Sequence, residues 1–509
     1  MSALDSVPHP RIRLANEVRT PAHGEYVLYW MSATRRAQYN FALDRAVRWC
    51  ERLQLPLLVY EPLRAGYPWA SARFHAFVAD GMRDNQSAFE AARVRYAPHI
   101  EPEVGAAKGA LALLSERAAL VVTDEYPCYF HPAMQVAAAR QLKVPLEVVD
   151  STGILPLATC AQTFPTAYAF RRHLQKNLRP WLDEFPAEDR LASARMPRDA
   201  VLPREFTKRY GATDLARFDA RKAGVPQTPA PVDERGGERG GERGGERGGS
   251  AAARAALRHF VRERLARYGT ERSEPTSDAS SGLSPWIHFG QLSVHEVLRE
   301  VAQHEGWKSA DVSDKASGKR EGWWNMGASA ESFLDELITW RELGYQFAHK
   351  RRDHDRYESL PDWARATLEE HACDKREHVY TLEEFESAGT HDALWNAAMR
   401  QLTREGRMHN YLRMLWGKKI LEWTRSPREA LAVMIELNNK YALDGRDPNS
   451  YSGIFWVLGR FDRPWAPKRP IFGSIRYMSS SNTARKFEVR PYLARYAPTS
   501  TDSQATSAK

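Results

Sequence analysis

From Tyr26 to about Cys160 the chain alternates short apolar runs with longer amphipathic stretches. The runs are YVLYWM from Tyr26, LPLLVY from Leu55, ALVVTD from Ala119 and VPLEVVD from Val144. Their length and spacing predict βαβ units and an α/β domain built on a Rossmann-like parallel sheet. No glycine fingerprint follows the first strand, where Met31 to Arg36 reads MSATRR, so a conventional dinucleotide site is not expected there. After Ala251 the period changes. Leu257, Phe260, Val261 and Leu265 recur at helical spacing, as do apolar residues from Phe333 to Phe347, and strand signals become sparse. This organisation predicts an N-terminal arm over 1–24, an α/β domain over 25–165 and a connecting segment over 166–250. An all-α domain over 251–496 and a Ser/Thr-rich disordered tail over 497–509 follow.

Within the connecting segment, residues 225–250 carry PQTPAPVD and four Glu-Arg-Gly-Gly repeats, a composition that assembles no core and reads as a mobile surface insertion. It is either a tolerated loop whose charges cancel or a segment that touches nucleic acid through its arginines.

A length of 509 residues suits two or three domains. The net charge of +9 fits a phosphate-binding face as well as an ordinary basic soluble protein. Cys50, Cys128, Cys160 and Cys373 lie too far apart for a zinc, iron–sulfur or disulfide framework, so no metal is expected and a reducing cytoplasmic setting is. The first twenty-five residues lack the apolar centre of a signal peptide, and no later run is long enough to cross a bilayer, so no membrane partner is expected.

The fifteen tryptophans change the picture more. Trp416 and Trp423, seven apart in a helical stretch, share a face, and Trp395 comes from a preceding helix. Such a row suits stepwise electron transfer, although each ring taken singly is ordinary core packing. Ser280-Ser281-Gly282-Leu283-Ser284 offers hydroxyls and backbone N–H groups before a helix start, either a cradle for a diphosphate or a plain helix cap. Glu336 and Trp340, four apart, share a helical face, with Glu336 either a solvated charge or a carboxyl group facing a cleft. Arg413 and Asp444 are an ion-pair candidate, and Asn438 precedes the DGRD turn with an amide suited to a ligand ring. From Trp456 onward, Arg463 and Arg476 stand among further basic residues interleaved with aromatics. That mixture suits an extruded-nucleotide site, or else a solvated face over a core.

LSPWIHFGQLS, FLDELITWREL, PDWA, DKREHVYTLEEFE, HDALWNAA, RMLWGKKILEWT, LDGRDPNSY, DRPW and RPIFGSIRYM together resemble the class II cyclobutane pyrimidine dimer photolyases. Those flavoproteins bind UV-damaged DNA, flip the dimer out and split it with light. The resemblance implies FAD, with Tyr268, Ser280, Ser281, Gly282, Leu283, Ser284 and Arg341 about its phosphates and ribityl chain. Asn410, Arg413, Asn438 and Asp444 would lie about its ring. It implies Glu336, Asn438 and Met414 as catalytic residues, with Glu336 protonated in a dry pocket. Trp340, Tyr411, Trp456, Arg463, Arg476 and Arg272 would contact the dimer or its flanking phosphates.

Trp395, Trp416 and Trp423 match the family's photoreduction chain, with Trp416 nearest the flavin. The implied partner is UV-damaged DNA, bound by a monomer, and the implied second pigment is an antenna of deazaflavin or folate type. MSATRR and DEYPCYF depart from the family's pattern around that antenna. Arg272-Ser273-Glu274-Pro275, Gln346 and Asn410 also depart from it. Two other readings are a cryptochrome-like photoreceptor without repair activity and a DNA-binding protein that has lost its flavin.

Overall fold

The computed structural model describes residues 7–20, 23–230 and 247–499, which divide into two compact units. The first comprises Met1–Ala161, Asn177–Val261 and Gly282–Val312, and the second Gln162–Lys176, Arg262–Ser281 and Ser313–Lys509.

The first unit is built on a six-stranded sheet of order β1-β6-β5-β2-β3-β4. Its strands are β1 (Ile12–Leu14), β2 (Tyr26–Trp30), β3 (Leu57–Leu63), β4 (Arg95–Ile100), β5 (Ala118–Asp124) and β6 (Leu146–Val149). β2 and β5 are buried at every position, as expected for central strands covered on both faces. Apolar clusters lie on either side, one around Phe41, Val47, Val59 and Phe89, the other around Leu28, Tyr60, Leu114 and Leu146.

Two strands escape the apolar pattern. β4 reads RYAPHI, and its Pro98 is tolerated because β4 lies at a sheet edge. β1 falls in the predicted N-terminal arm and pairs antiparallel with β6, so the sheet is mixed rather than all-parallel. Arg11 anchors this edge, donating to the carbonyls of Gly153 and Ile154 at 3.0 and 2.6 Å.

The division into units departs from the linear one that the sequence suggests. The helix Ser250–His259 packs on Ala72–Ala91 of the sheet unit, and the Gln291 amide donates to the Phe77 carbonyl at 3.1 Å. The two ends of the predicted mobile insertion are seated as well. Val225 is buried against Ala65 and Ala70, and the Ala72 N–H donates to the Pro226 carbonyl at 2.9 Å. At the other end, the Gly248 N–H donates to Asp80 at 3.2 Å, the Gly249 N–H to Gln291 at 2.8 Å, and the Arg247 carbonyl accepts from the Trp286 indole at 3.0 Å. A side chain at Gly248 would strike the Phe77 carbonyl, and Gly249 has φ +101°, so both positions require glycine. Residues 231–246, most of the repeat, and 500–509 of the predicted disordered tail lie outside the described residues.

The second unit is helical. Its centre is the helix Asn410–Trp423, packed on Ala393–Glu405, Pro427–Tyr441 and Pro448–Val457. Gly417 permits this close approach, since a Cβ there would lie 2.6 Å from Val457 Cγ2 and 3.1 Å from Met434 Sδ. Ala328–Leu334 and Arg341–Lys350 form one continuous rod interrupted by a π-helical turn over Asp335–Trp340. That turn is the local environment of Glu336 and Trp340. No helix among the described residues is long and apolar enough to cross a membrane, and no group of three or more His, Cys, Asp or Glu is placed to hold a metal ion.

Candidate functional site

The three predicted relay tryptophans form one contiguous row. Trp395, fully buried, stacks parallel to Trp416 with ring centroids 6.4 Å apart, and meets Trp423 edge-on at 6.0 Å. Its indole N–H donates to the Trp416 carbonyl at 3.0 Å, which fixes the rotamer. The order Trp416, Trp395, Trp423 therefore follows from contact, with the ring from the preceding helix in the middle. Beyond Trp423 lie Tyr380 at 5.7 Å and the exposed His391 at 4.9 Å.

Arg413, one turn before Trp416 on the same helix, pairs with Asp444 at 3.0 Å, both side chains being mostly buried. The ion pair expected from the sequence is present. Asn438 is buried and its amide donates to Ser450 Oγ at 2.8 Å. Asn410 opens the helix and is exposed, while Met414 is half-buried. Arg341 is buried and stacks over Tyr345 at 4.0 Å, and the Tyr345 hydroxyl donates to Asp447 at 2.7 Å. Tyr268 packs edge-on against Phe333 at 5.4 Å. The boundary between the two units falls within the Ser280–Ser284 segment: Ser280 and Ser281 belong to the helical unit, and Gly282, Leu283 and Ser284 to the sheet unit. Gly282 turns this segment with φ +70°.

Glu336 and Trp340 lie in the π-helical turn, a device common at functional sites, rather than in the regular α-helix that their four-residue spacing suggests. Both side chains are half-buried. The Arg272 guanidinium donates to Glu336 at 2.5 Å and lies over the Tyr268 ring at 5.6 Å. Burial raises the Glu336 carboxyl above its ordinary range, and Arg272 opposes that rise without cancelling it. Where the sequence reading expects a protonated Glu336 in a dry pocket, the structure sets a cation against it, and that cation favours the ionised form.

Trp456, Arg476 and Arg463 belong to an alternating stack of rings and cations. Arg476 faces Trp456 at 5.4 Å and Trp465 at 4.0 Å, and Arg463 covers Trp465 at 4.7 Å. Asp462 organises the stack, accepting from Arg476 Nε at 3.1 Å and from the Trp465 indole at 3.3 Å. Tyr411 lies apart from this stack, edge-on against Phe487 at 4.8 Å and under Lys486 at 5.0 Å. Sequence reasoning counted Trp465 among the interleaved aromatics but passed over Asp462 and Lys418 as site residues. Lys418 had a signal: a helix buried around Leu412, Leu415, Trp416, Ile420 and Leu421 leaves no exposed stripe for a cation at its centre.

In the sheet unit, the segment after β2 is closed on itself. Asp124 accepts from the N–H groups of Ser32, Ala33 and Thr34 at 2.8, 2.8 and 2.9 Å. Arg35 pairs with Glu61 at 2.9 Å, and Arg36 donates to the carbonyls of Tyr39 and Gly290. Most donors of MSATRR are thus engaged within the sheet unit.

No family model matches the chain. Among curated proteins it is 33% identical over 488 residues to the deoxyribodipyrimidine photo-lyase of Methanothermobacter thermautotrophicus, covering 95% of this chain and 97% of that one. It is 33% identical to the protein of the same name from Potorous tridactylus, covering 96% of this chain and 84% of that one. The Arabidopsis thaliana protein, again of that name, is 32% identical with 92% and 88% covered. A bacterial class III photolyase structure from Agrobacterium tumefaciens superposes with a TM-score of 0.65 at 17% identity, over 94% of this chain and 88% of that one, and so shares the fold. With a third of its residues identical across nearly its whole length, the chain belongs to the photolyase/cryptochrome family, among the deoxyribodipyrimidine photo-lyases.

Proposed function

We propose that this protein is a class II photolyase that splits cyclobutane pyrimidine dimers in UV-damaged DNA, using bound reduced FAD. The observation that carries the reading is the pairing on one helix of Arg413, tied to Asp444, with Trp416, the inner end of the indole row. The Trp416 indole N–H is buried and has no partner among the described residues. Leaving such a donor unmade costs about 1–3 kcal/mol, so an acceptor group beside it suits this position, and a flavin ring carries several. The residues therefore fit FAD. Arg341, Tyr268, Ser280 and Ser281 would hold its diphosphate and ribityl chain, while Asn410, Arg413, Asn438 and Asp444 would surround the ring.

When bound and reduced, FAD supplies one electron on illumination, chemistry that no side chain provides. The chain supplies position and electrostatics. Trp340 and Trp456 would pack on the flipped dimer, Tyr411 and Met414 would border it, and Arg463 and Arg476 would hold flanking phosphates. Glu336 would donate a hydrogen bond to a pyrimidine carbonyl as negative charge develops there. Its raised pKa supports that role, and Arg272 holds the carboxyl group in place before the lesion arrives. Trp416, Trp395 and Trp423 would serve only to activate oxidised enzyme: each passes one electron inward and is refilled by the next, the last from a reductant in solution.

The test is illumination of reduced, flavin-loaded protein with near-UV or blue light on an oligonucleotide carrying one thymine dimer, with a (6-4) lesion in a parallel arm. Recovery of thymine absorbance in the first arm alone is expected. Unchanged absorbance in the dimer arm with flavin bound would overturn the reading in favour of a photoreceptor.

A further inference from the structure

Lys418 sits at the inner end of the ring-and-cation stack, fully buried in the middle of the helix Asn410–Trp423. Its ammonium donates to the Val457 carbonyl at 2.6 Å and lies 4.9 Å from the centre of the Trp456 ring. Trp456 is thereby gripped by two cations, Lys418 within and Arg476 towards the rim. We infer that Lys418 is a positioning residue for the lesion-facing Trp456, and that its charge state sets how firmly this indole is held for the dimer. The inference rests on the proposed role of Trp456.

A buried cation with one carbonyl and one ring face for company has given up most of its hydration. Burial accordingly pulls the Lys418 amine down to about 7. The charges that act on it come from the segment after the helix Pro448–Val457: Asp462 favours the ammonium and Arg476 disfavours it. Trp456 and the Val457 carbonyl face it from that helix itself, and the neighbouring helices Ala393–Glu405 and Pro427–Tyr441 add no charge to these two. Lys418 is therefore charged on the acid side of neutrality, with both cations acting on Trp456, and neutral on the alkaline side, with the inner grip lost.

Fluorine NMR of the full-length protein labelled with fluorotryptophan, the Trp456 signal being assigned with Trp456→Phe, tests this without any need for repair. The Trp456 resonance is expected to titrate near neutrality in the native protein, to stop titrating in Lys418→Met, and to titrate at lower pH in Asp462→Asn. In parallel, the preference for dimer-containing over undamaged duplex is expected to fall by roughly tenfold from acid to alkaline conditions, the scale of one desolvated cation–π contact, and to become flat in Lys418→Met. A native Trp456 signal that does not move, or an inflection that survives in Lys418→Met, would overturn the inference. The native titration decides the matter even if the variant fails to fold. Absence of repair would count against the proposed function alone, because the resonance reports on Trp456 directly.

Discussion

Replacing Trp395 by Phe removes the middle ring of the row and leaves its two neighbours unchanged. Trp395 touches Trp416 at 6.4 Å and Trp423 at 6.0 Å, so it is the contact through which the outer ring reaches the inner one. The structural cost has two parts. The hydrogen bond to the Trp416 carbonyl is lost, worth about 1 kcal/mol. Removing part of a fully buried indole leaves a small void, costing well under the ~3–5 kcal/mol seen when an entire aromatic side chain is deleted, and here about 1–2 kcal/mol. The sum, about 2–3 kcal/mol, lies within the ~5–15 kcal/mol that holds a typical domain together, so the variant should fold, with a lower urea midpoint. Photoreduction of the oxidised flavoprotein, followed by the bleaching of its blue absorbance under steady light with a thiol present, should be severely slowed. Dimer repair by the chemically reduced variant should stay close to native. Photoreduction at the native rate in a folded Trp395→Phe protein would refute the assigned order, and equal loss of both activities would refute the separation of activation from repair.

Other outcomes follow from the same geometry. Asp444→Ala leaves the mostly buried Arg413 guanidinium without its partner, at a cost of about 1–3 kcal/mol, and should lower flavin content, read as visible absorbance per protein after gel filtration. Arg476→Gln should weaken duplex binding and reduce the slope of log affinity against log salt by about one if Arg476 meets one phosphate; an unchanged slope would place its contact elsewhere. Glu336→Gln should bind flavin normally yet repair more slowly, since an amide is a weaker donor than a carboxylic acid and weakens the contact with Arg272. Lys418 lies near 7 in the folded protein against an ordinary value of 10.5, so the unfolded chain binds the extra proton across that window. Native stability should therefore rise with pH there, by up to ~1.4 kcal/mol per pH unit from this group, and Lys418→Met should remove that part of the slope in urea titrations.

Much of this protein was legible in its sequence, and the exceptions share a cause. Four of the six strands announce themselves as apolar runs because their side chains are buried on both faces. β4 hides behind Pro98 and His99, and β1 behind an arginine anchor whose side chain bonds to Gly153 and Ile154, far along the chain. The ion pair of Arg413 with Asp444 and the membership of the tryptophan row were readable from residue type and spacing. The order of the row was not, since it depends on one helix laying Trp395 between two rings of another. The π-helical turn at Glu336 leaves no mark on hydrophobic periodicity, because a single added residue shifts the register by less than the width of an apolar face. Glu336 was read as a lone carboxyl group because its partner, Arg272, lies sixty-four residues earlier.

The seated glycines at the end of the Glu-Arg-Gly-Gly array bear on how this chain tolerates change. Every unit of the array ends in the same Arg-Gly-Gly, so excising or duplicating whole units presents an identical tripeptide to Phe77, Asp80 and Gln291. A change in copy number by whole units thus leaves the seated end unaltered, whereas a missense change in the final unit, at Gly248 or Gly249, strikes a position that does not accommodate a side chain.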